Sequence, residues 1–359
     1  MDFTPSASLA QFYRKHLLQD VMPFWEARTK DDECGGYLTC FDRKGTLTDS
    51  GKYIWFQGRQ LYMFSALYNQ VEKNPKWLDL ARQGRDFIVG QAYAGNGRWQ
   101  YRLDRAGRLK QGAISIHTDN FVLQGLCEYA VASGGDQDRR RIVETFDAIE
   151  RHSRDLDFKD IFHSAWNPRY QRHAISLSGL WTAGVAGGVL GRERTRPLID
   201  YCLEQILHVF AKDDRRLLFE SVGRDGSIID EPEGRLINPG HGLESAWFCI
   251  EEGRQRGDRS LIDRAIQIAE WSYAAGHDRE NGGIFSFLDA NGEEPLQTDW
   301  HRETKVFWHD KVWWVHCEAL YALALAGAAG GGEEFLARFI DLHHWCQLRW
   351  TPLIGQGIG

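Results

Sequence analysis

Gly223-Arg224-Asp225-Gly226, and then, after a short polar stretch, Asn238-Pro239-Gly240-His241-Gly242-Leu243-Glu244-Ser245-Ala246-Trp247-Phe248-Cys249-Ile250, is the passage on which the fold reading turns. A glycine-rich, strand-like turn leads to a helix whose first turn carries a polar residue, here His241. The same order recurs along the chain. Turns stand at Gly36-Tyr37…Asp42-Arg43-Lys44-Gly45, at Asp104-Arg105-Ala106-Gly107 and at Gly283-Ile284…Asp289-Ala290-Asn291-Gly292. The turn-closing glycines Gly45, Gly107, Gly226 and Gly292 are separated by 62, 119 and 66 residues, one step, two steps and one step of about 60. Apolar helices open near Arg59, Asp119, His173, His241 and His316. A fixed period of this size means stacked supersecondary units, each burying its apolar face only against its neighbours.

Between these segments lie amphipathic stretches: 8–25, 75–89, 141–152, 196–210, 261–275 and 334–350. Each has apolar residues at helical spacing and a polar back. A helix that is apolar nearly all round is a buried one. Alternation of the two kinds predicts an all-α double ring of helical hairpins, an α/α toroid forming one domain over 1–359. Short alternating segments such as Tyr37–Phe41 and Ile284–Leu288 predict small β-hairpins in the turns. Six outer helices meet only five inner ones. The sixth inner helix falls, by the period, near position 376, and Thr351–Gly359 carries no helical pattern. The expectation is a barrel that is incomplete after about 350.

The bulk numbers narrow the function. The 359 residues carry a net charge of −7, which excludes the basic face that a nucleic acid or an anionic membrane would want. The most apolar run, Ala319 to Gly332, is too short to span a bilayer. The start has no basic region followed by an apolar core, so no signal peptide is expected. Seven cysteines without a CxxC pair read as reduced core residues of a cytoplasmic protein. Fourteen tryptophans suit either helix packing or a sugar-stacking cleft.

Chemistry is expected at the ends of the inner helices. Pro239 and Gly240 break the chain before His241, and Glu244 lies one turn on, on the same face. The helix dipole disfavours the imidazolium while a carboxylate favours it, a balance that suits a base titrating near neutral pH. Arg59 follows Trp55 at the mouth of an apolar helix, where a guanidinium needs an ion pair or a ligand oxygen. His316 and Glu318 follow Trp313-Trp314, and Lys311 precedes them, able to bind substrate hydroxyls or to pair with a carboxylate. His173 and Asp119 open two further helices, Asp119 with the character of a cap. There is no HExxH, no Cys/His ligand spacing, no phosphate loop and no GxSxG. No cofactor and no metal are expected, although histidines from different inner helices could still converge on an ion.

These residues carry a resemblance. Lys52-Tyr53-Ile54-Trp55-Phe56-Gln57-Gly58-Arg59-Gln60, Ser115-Ile116-His117-Thr118-Asp119-Asn120-Phe121, Asn238-Pro239-Gly240-His241-Gly242-Leu243-Glu244 and Lys311-Val312-Trp313-Trp314-Val315-His316-Cys317-Glu318-Ala319 are similar to the signature segments of the N-acylglucosamine 2-epimerase family, over about 10–350. The resemblance implies an (α/α)6 barrel that moves a proton on the carbon beside the aldehyde of a free sugar, through an enediolate. Members epimerise N-acetylglucosamine to N-acetylmannosamine, epimerise glucose-type sugars, or isomerise mannose to fructose. It implies His241 as a general acid/base supported by Glu244, and Arg59 on the aldehyde-end oxygen. His316, Glu318 and Trp313 would line the cleft, with His173, Lys311, Trp55 and Asp119 as further substrate-binding candidates. The implied partner is a small sugar, and a homodimer stays open. The family's second acid/base histidine sits in a Phe-His-x-Pro-Arg segment opening the sixth inner helix, and these residues contain no such segment. Loss of one of two such groups would slow turnover about 10²- to 10⁴-fold. Two other classes remain in view. One is an α/α-toroid glycosidase using Asp119 and Glu244; the other is a sugar-binding or interaction protein on an inherited barrel.

Overall fold

A computed structural model of the chain describes residues 7–160, 167–296 and 307–355. The helices, in chain order, are α1 (Ala7–Lys15), α2 (Met22–Arg28), α3 (Ile54–Ala66), α4 (Pro75–Phe87), α5 (Ile116–Ser133), α6 (Arg139–Ser153), α7 (His173–Leu190), α8 (Arg192–Glu204), α9 (Pro239–Arg256), α10 (Arg259–Gly276), α11 (Trp313–Ala326) and α12 (Glu333–Gly355). The amphipathic segments become α1 with α2, α4, α6, α8, α10 and α12, most within a few residues of the predicted bounds. The last helix runs on to Gly355, five residues into the stretch expected to be irregular.

The recurrence has a structural cause. At Gly45, Gly107, Gly226 and Gly292 φ is +81°, +86°, +82° and +83°. In each turn the glycine N–H bonds the carbonyl three residues back: Asp42, Asp104, Gly223 and Asp289, at 2.8–3.0 Å. The N–H of that same earlier residue bonds the carbonyl of the residue after the glycine, at 2.8–3.1 Å. One three-residue turn closing on a left-handed residue is thus used four times, and only glycine adopts that φ freely.

The described residues form two compact units. One comprises Arg14–Phe162 and Ser178–Asp200. In it α3 packs against both α4 and α5. Helix α4 buries a single stripe, Trp77, Leu80, Ala81, Gly84 and Phe87, whereas α5 is buried over most of its length. Strands β3 (Lys52–Tyr53), β6 (Arg102–Leu103) and β7 (Leu109–Gln111) form one antiparallel sheet at the start of α3. Lys52 is fully buried there. Its Nζ binds Asp31 Oδ2 at 3.0 Å and the Gly35 carbonyl, and Arg105 takes both Asp31 oxygens at 2.9 and 3.0 Å.

The other unit comprises Met1–Tyr13, His163–Leu177 and Tyr201–Gly359. Here α9 lies against α10 and α11. Two strand pairs in this unit are long-range. The segment after Ile284, read as a local hairpin, ends in β13 (Leu288–Asp289), which pairs with β12 (Leu236–Ile237), the strand leading into α9. Strand β8 (Tyr170–Arg172), leading into α7, pairs with β11 (Ser221–Gly223). Each pair fastens the strand before a helix start to a distant segment, which alternation of residues within one segment could not reveal.

Candidate functional site

His241 stands in the first turn of α9. The Asn238 side chain caps that turn by accepting the His241 N–H at 3.1 Å, and Pro239 fills the first helical position, where an N–H is not needed. The imidazole Nδ1 lies 3.0 Å from both carboxylate oxygens of Glu220. Glu220 is buried just before β11, whose register sets Ser221 opposite Arg172, the residue before His173. The His173 N–H donates to the Glu220 carbonyl at 3.0 Å, and His173 Nδ1 lies 3.5 Å from Glu220 Oε1. His173 Nε2 meets Ser245 Oγ at 2.8 Å. Two imidazoles from two helix starts therefore flank one buried carboxylate.

The electrostatics follow. Burial works against a charge on His241, but the charge and hydrogen bond of Glu220 outweigh it, with Glu244 and Glu318 adding, and hold the ring up at about 9. Glu220 goes well below the usual carboxylate range: burial opposes this, and the two imidazoles overcome it. Burial pushes His173 down, so this ring is neutral. The pair is thus an imidazolium on a carboxylate. His241 is protonated through neutral pH, not the half-titrated base that the helix dipole suggested, because Glu220 outweighs the dipole.

Trp314 covers His241, with ring centroids 5.5 Å apart. Gly240 permits this: a Cβ there would sit 2.7 Å from the Trp314 ring. Trp313, expected in the cleft, is 67% exposed, and the neighbouring indole makes the contact instead. Glu318 accepts the Trp247 indole N–H at 2.6 Å. Glu244 contributes charge to His241, but the carboxylate holding its Nδ1 is Glu220. Lys311 pairs with Asp278 Oδ2 at 3.0 Å and lies over Phe285. His316 is fully buried. Its Nδ1 faces the Val312 carbonyl at 2.8 Å, its Nε2 accepts the Ile284 N–H at 3.0 Å, and its ring stacks on Trp345 at 4.9 Å. Both nitrogens are occupied by backbone, so this is the placement of a structural ring.

The other unit holds the remaining candidates. Arg59 is exposed, 4.6 Å over Phe121 and 6.0 Å from Trp55. Among the described residues no carboxylate pairs with it; aromatic faces take the place of the expected ion pair. Asp119 is buried and does not cap α5, a task that falls to Ser115. It accepts the Trp99 N–H at 2.9 Å and binds Arg98 Nε. That occupation removes it from a glycosidase carboxylate pair.

Sequence reasoning missed Glu220 altogether. The available signal was a lone carboxylate in Leu217-Leu218-Phe219-Glu220-Ser221-Val222, an apolar strand-like run that would not tolerate it unpaired.

The N-acylglucosamine 2-epimerase family model matches residues 36–350. The chain belongs to the N-acylglucosamine 2-epimerase family. The N-acylglucosamine 2-epimerase of Bos taurus is 29% identical over 360 residues, covering 95% of this chain and 81% of its own. Among solved structures, a D-mannose isomerase aligns with TM-score 0.81 at 16% identity, over 96% of this chain and 88% of its own. The cellobiose 2-epimerase of Bacillus thermoamylovorans aligns with TM-score 0.79 at 18% identity, over 95% and 87%. Such likenesses carry the fold: this epimerase-family chain is of the all-α (α/α)6 barrel class.

Proposed function

We propose that this protein is a sugar 2-epimerase, an isomerase acting on N-acylglucosamine, N-acylmannosamine or a related free aldose. The observation that carries the reading is the Glu220–His241 pair, which lies within the residues that the family model matches. A base on one face takes the proton from the carbon next to the carbonyl, and the bonding pair of that C–H moves to form an enediolate. Return of a proton to the opposite face of the same carbon gives the epimer. His241, charged at neutral pH and anchored at Nδ1, is poised to give a proton from Nε2, and Glu220 holds the ring's orientation. All seven cysteines are unpaired, which supports a cytoplasmic location.

The test is proton NMR of N-acetylglucosamine and N-acetylmannosamine in deuterated water with the chain. The expected result is solvent deuterium at carbon 2 and appearance of the other epimer. Appearance of a ketose would assign the isomerase branch of the same chemistry. Absence of exchange from every free aldose would overturn the reading.

A further inference from the structure

We propose that His173, Glu220 and His241 bind one divalent transition-metal ion of the zinc and cobalt class. One donor atom from each of the three lies within 4.8 Å of the others. Glu220 is 3.0 Å from His241 Nδ1 and 3.5 Å from His173 Nδ1. A tetrahedral ion with nitrogen and oxygen bonds of about 2.0–2.1 Å spaces its donors by about 3.3 Å, between these two values. His173 Nδ1 is buried and its nearest acceptor is Glu220 Oε1 at a long 3.5 Å, a poor contact that an ion between the two would replace with two short bonds. The supports around the donors are in place. Ser245 Oγ holds the far nitrogen of His173, the Asn238 cap and Trp314 hold His241, and the β8–β11 pair sets Glu220.

Two imidazoles and one carboxylate suit zinc or cobalt better than the hard ions calcium and magnesium, which want oxygens. Access is from His241, whose side chain is 26% exposed while His173 is buried. The ion replaces the Nδ1 proton between His241 and Glu220, and that proton goes to solvent. If the epimerase reading holds, on which this consequence rests, the ion immobilises the acid and inhibits the enzyme.

The experiment uses the full chain after chelator treatment. Co²⁺ is titrated by its visible bands and Zn²⁺ by calorimetry. The expected result is one ion per chain, no thiolate charge-transfer band, and binding unchanged in Cys317→Ser. His241→Ala and Glu220→Gln weaken binding about tenfold or more, with circular dichroism reporting that each still folds. His241→Ala, at the accessible ligand, keeps the test open if the buried Glu220→Gln does not fold. Absence of saturable binding, a thiolate band, or undiminished binding in His241→Ala overturns the site. Binding without any sugar exchange by the metal-free chain upholds the site and sinks the epimerase reading instead; sugar exchange undisturbed by saturating Zn²⁺ overturns the inhibition.

Discussion

Glu220 presents both carboxylate oxygens to His241 Nδ1 at an equal 3.0 Å, so the ring is held at one nitrogen, and Nε2 is the atom that the proposed proton transfer would use. Burial alone would drive the proton off His241; Glu220 keeps it there to about 9. A step in which His241 gives a proton therefore persists through neutral pH and declines as pH rises past about 9. Glu220→Gln removes the opposing charge and should move that alkaline limb to lower pH by about 1–3 units. The limb is read from the pH profile of solvent exchange, and the His241 titration itself from ring-proton NMR. His241→Ala should lower the exchange rate by about 10²- to 10⁴-fold. An unmoved limb in Glu220→Gln would mean that another carboxylate sets the proton.

The adjacent indoles Trp313 and Trp314 make a second, separable prediction. Trp313 is 67% exposed, and Trp314 covers His241. Trp313→Ala should shift stability by no more than about 0.5 kcal/mol, as exposed substitutions do. Gly240→Ala places a methyl against the Trp314 ring and should cost about 1–3 kcal/mol by overpacking. Urea unfolding reports both. A larger loss from Trp313→Ala than from Gly240→Ala would reverse the assignment of the two rings.

The contrast between those neighbours marks what a sequence discloses here. Helices and turns were legible because they are local: the glycines at 45, 107, 226 and 292 impose the same left-handed turn wherever they stand. The placement of His241 was legible because Asn238-Pro239-Gly240 announces a capped helix start. Glu220 was not, because its partnership with His241 and His173 depends on β11 pairing with β8 across a gap of some fifty residues. The surroundings of His316 were hidden for the same reason. It opens an apolar helix as His241 does, but Gly283, at φ +76°, turns the Ile284 N–H onto its Nε2 and Trp345 stacks on its face. Such long-range contacts, not residue type, separate an imidazole held by a buried carboxylate, His241, from one held by backbone, His316.

For His316 this separation has a pH signature. Burial pushes its pKa down to about 4, against the pull of the Val312 carbonyl, while the unfolded chain titrates near 6.5. Between those values the unfolded state binds more protons, so stability is full above 6.5 and falls as pH drops toward 4. The whole window is worth about 3 kcal/mol. His316→Gln should be less stable at pH 7 and flatter in its decline from pH 6.5 to 4, measured by urea unfolding at each pH. A parallel decline in both proteins would assign the acid sensitivity elsewhere.

The buried Lys52–Asp31 pair predicts an asymmetry between its two members. Among the described residues Lys52 has only Asp31 and the Gly35 carbonyl for its charge, over the ring of Phe87. Asp31 has Arg105 as well. Asp31→Ala strands a buried ammonium and should cost about 3–5 kcal/mol. Lys52→Met removes the ammonium itself, leaves Asp31 with Arg105, and keeps most of the volume, so its cost should stay below about 2 kcal/mol. Although burial opposes it, the hydrogen bonds from Arg105 and Lys52 hold Asp31 at about 2, below the unfolded value. This contribution is complete above about pH 4 and fades as pH falls toward 2. Unfolding of the two variants at pH 7 and at pH 3 tests both halves: Asp31→Ala should be the weaker protein at pH 7, and the gap between them should shrink at pH 3. Equal losses at pH 7 would mean that Arg105, not Lys52, is the partner that Asp31 exists to hold.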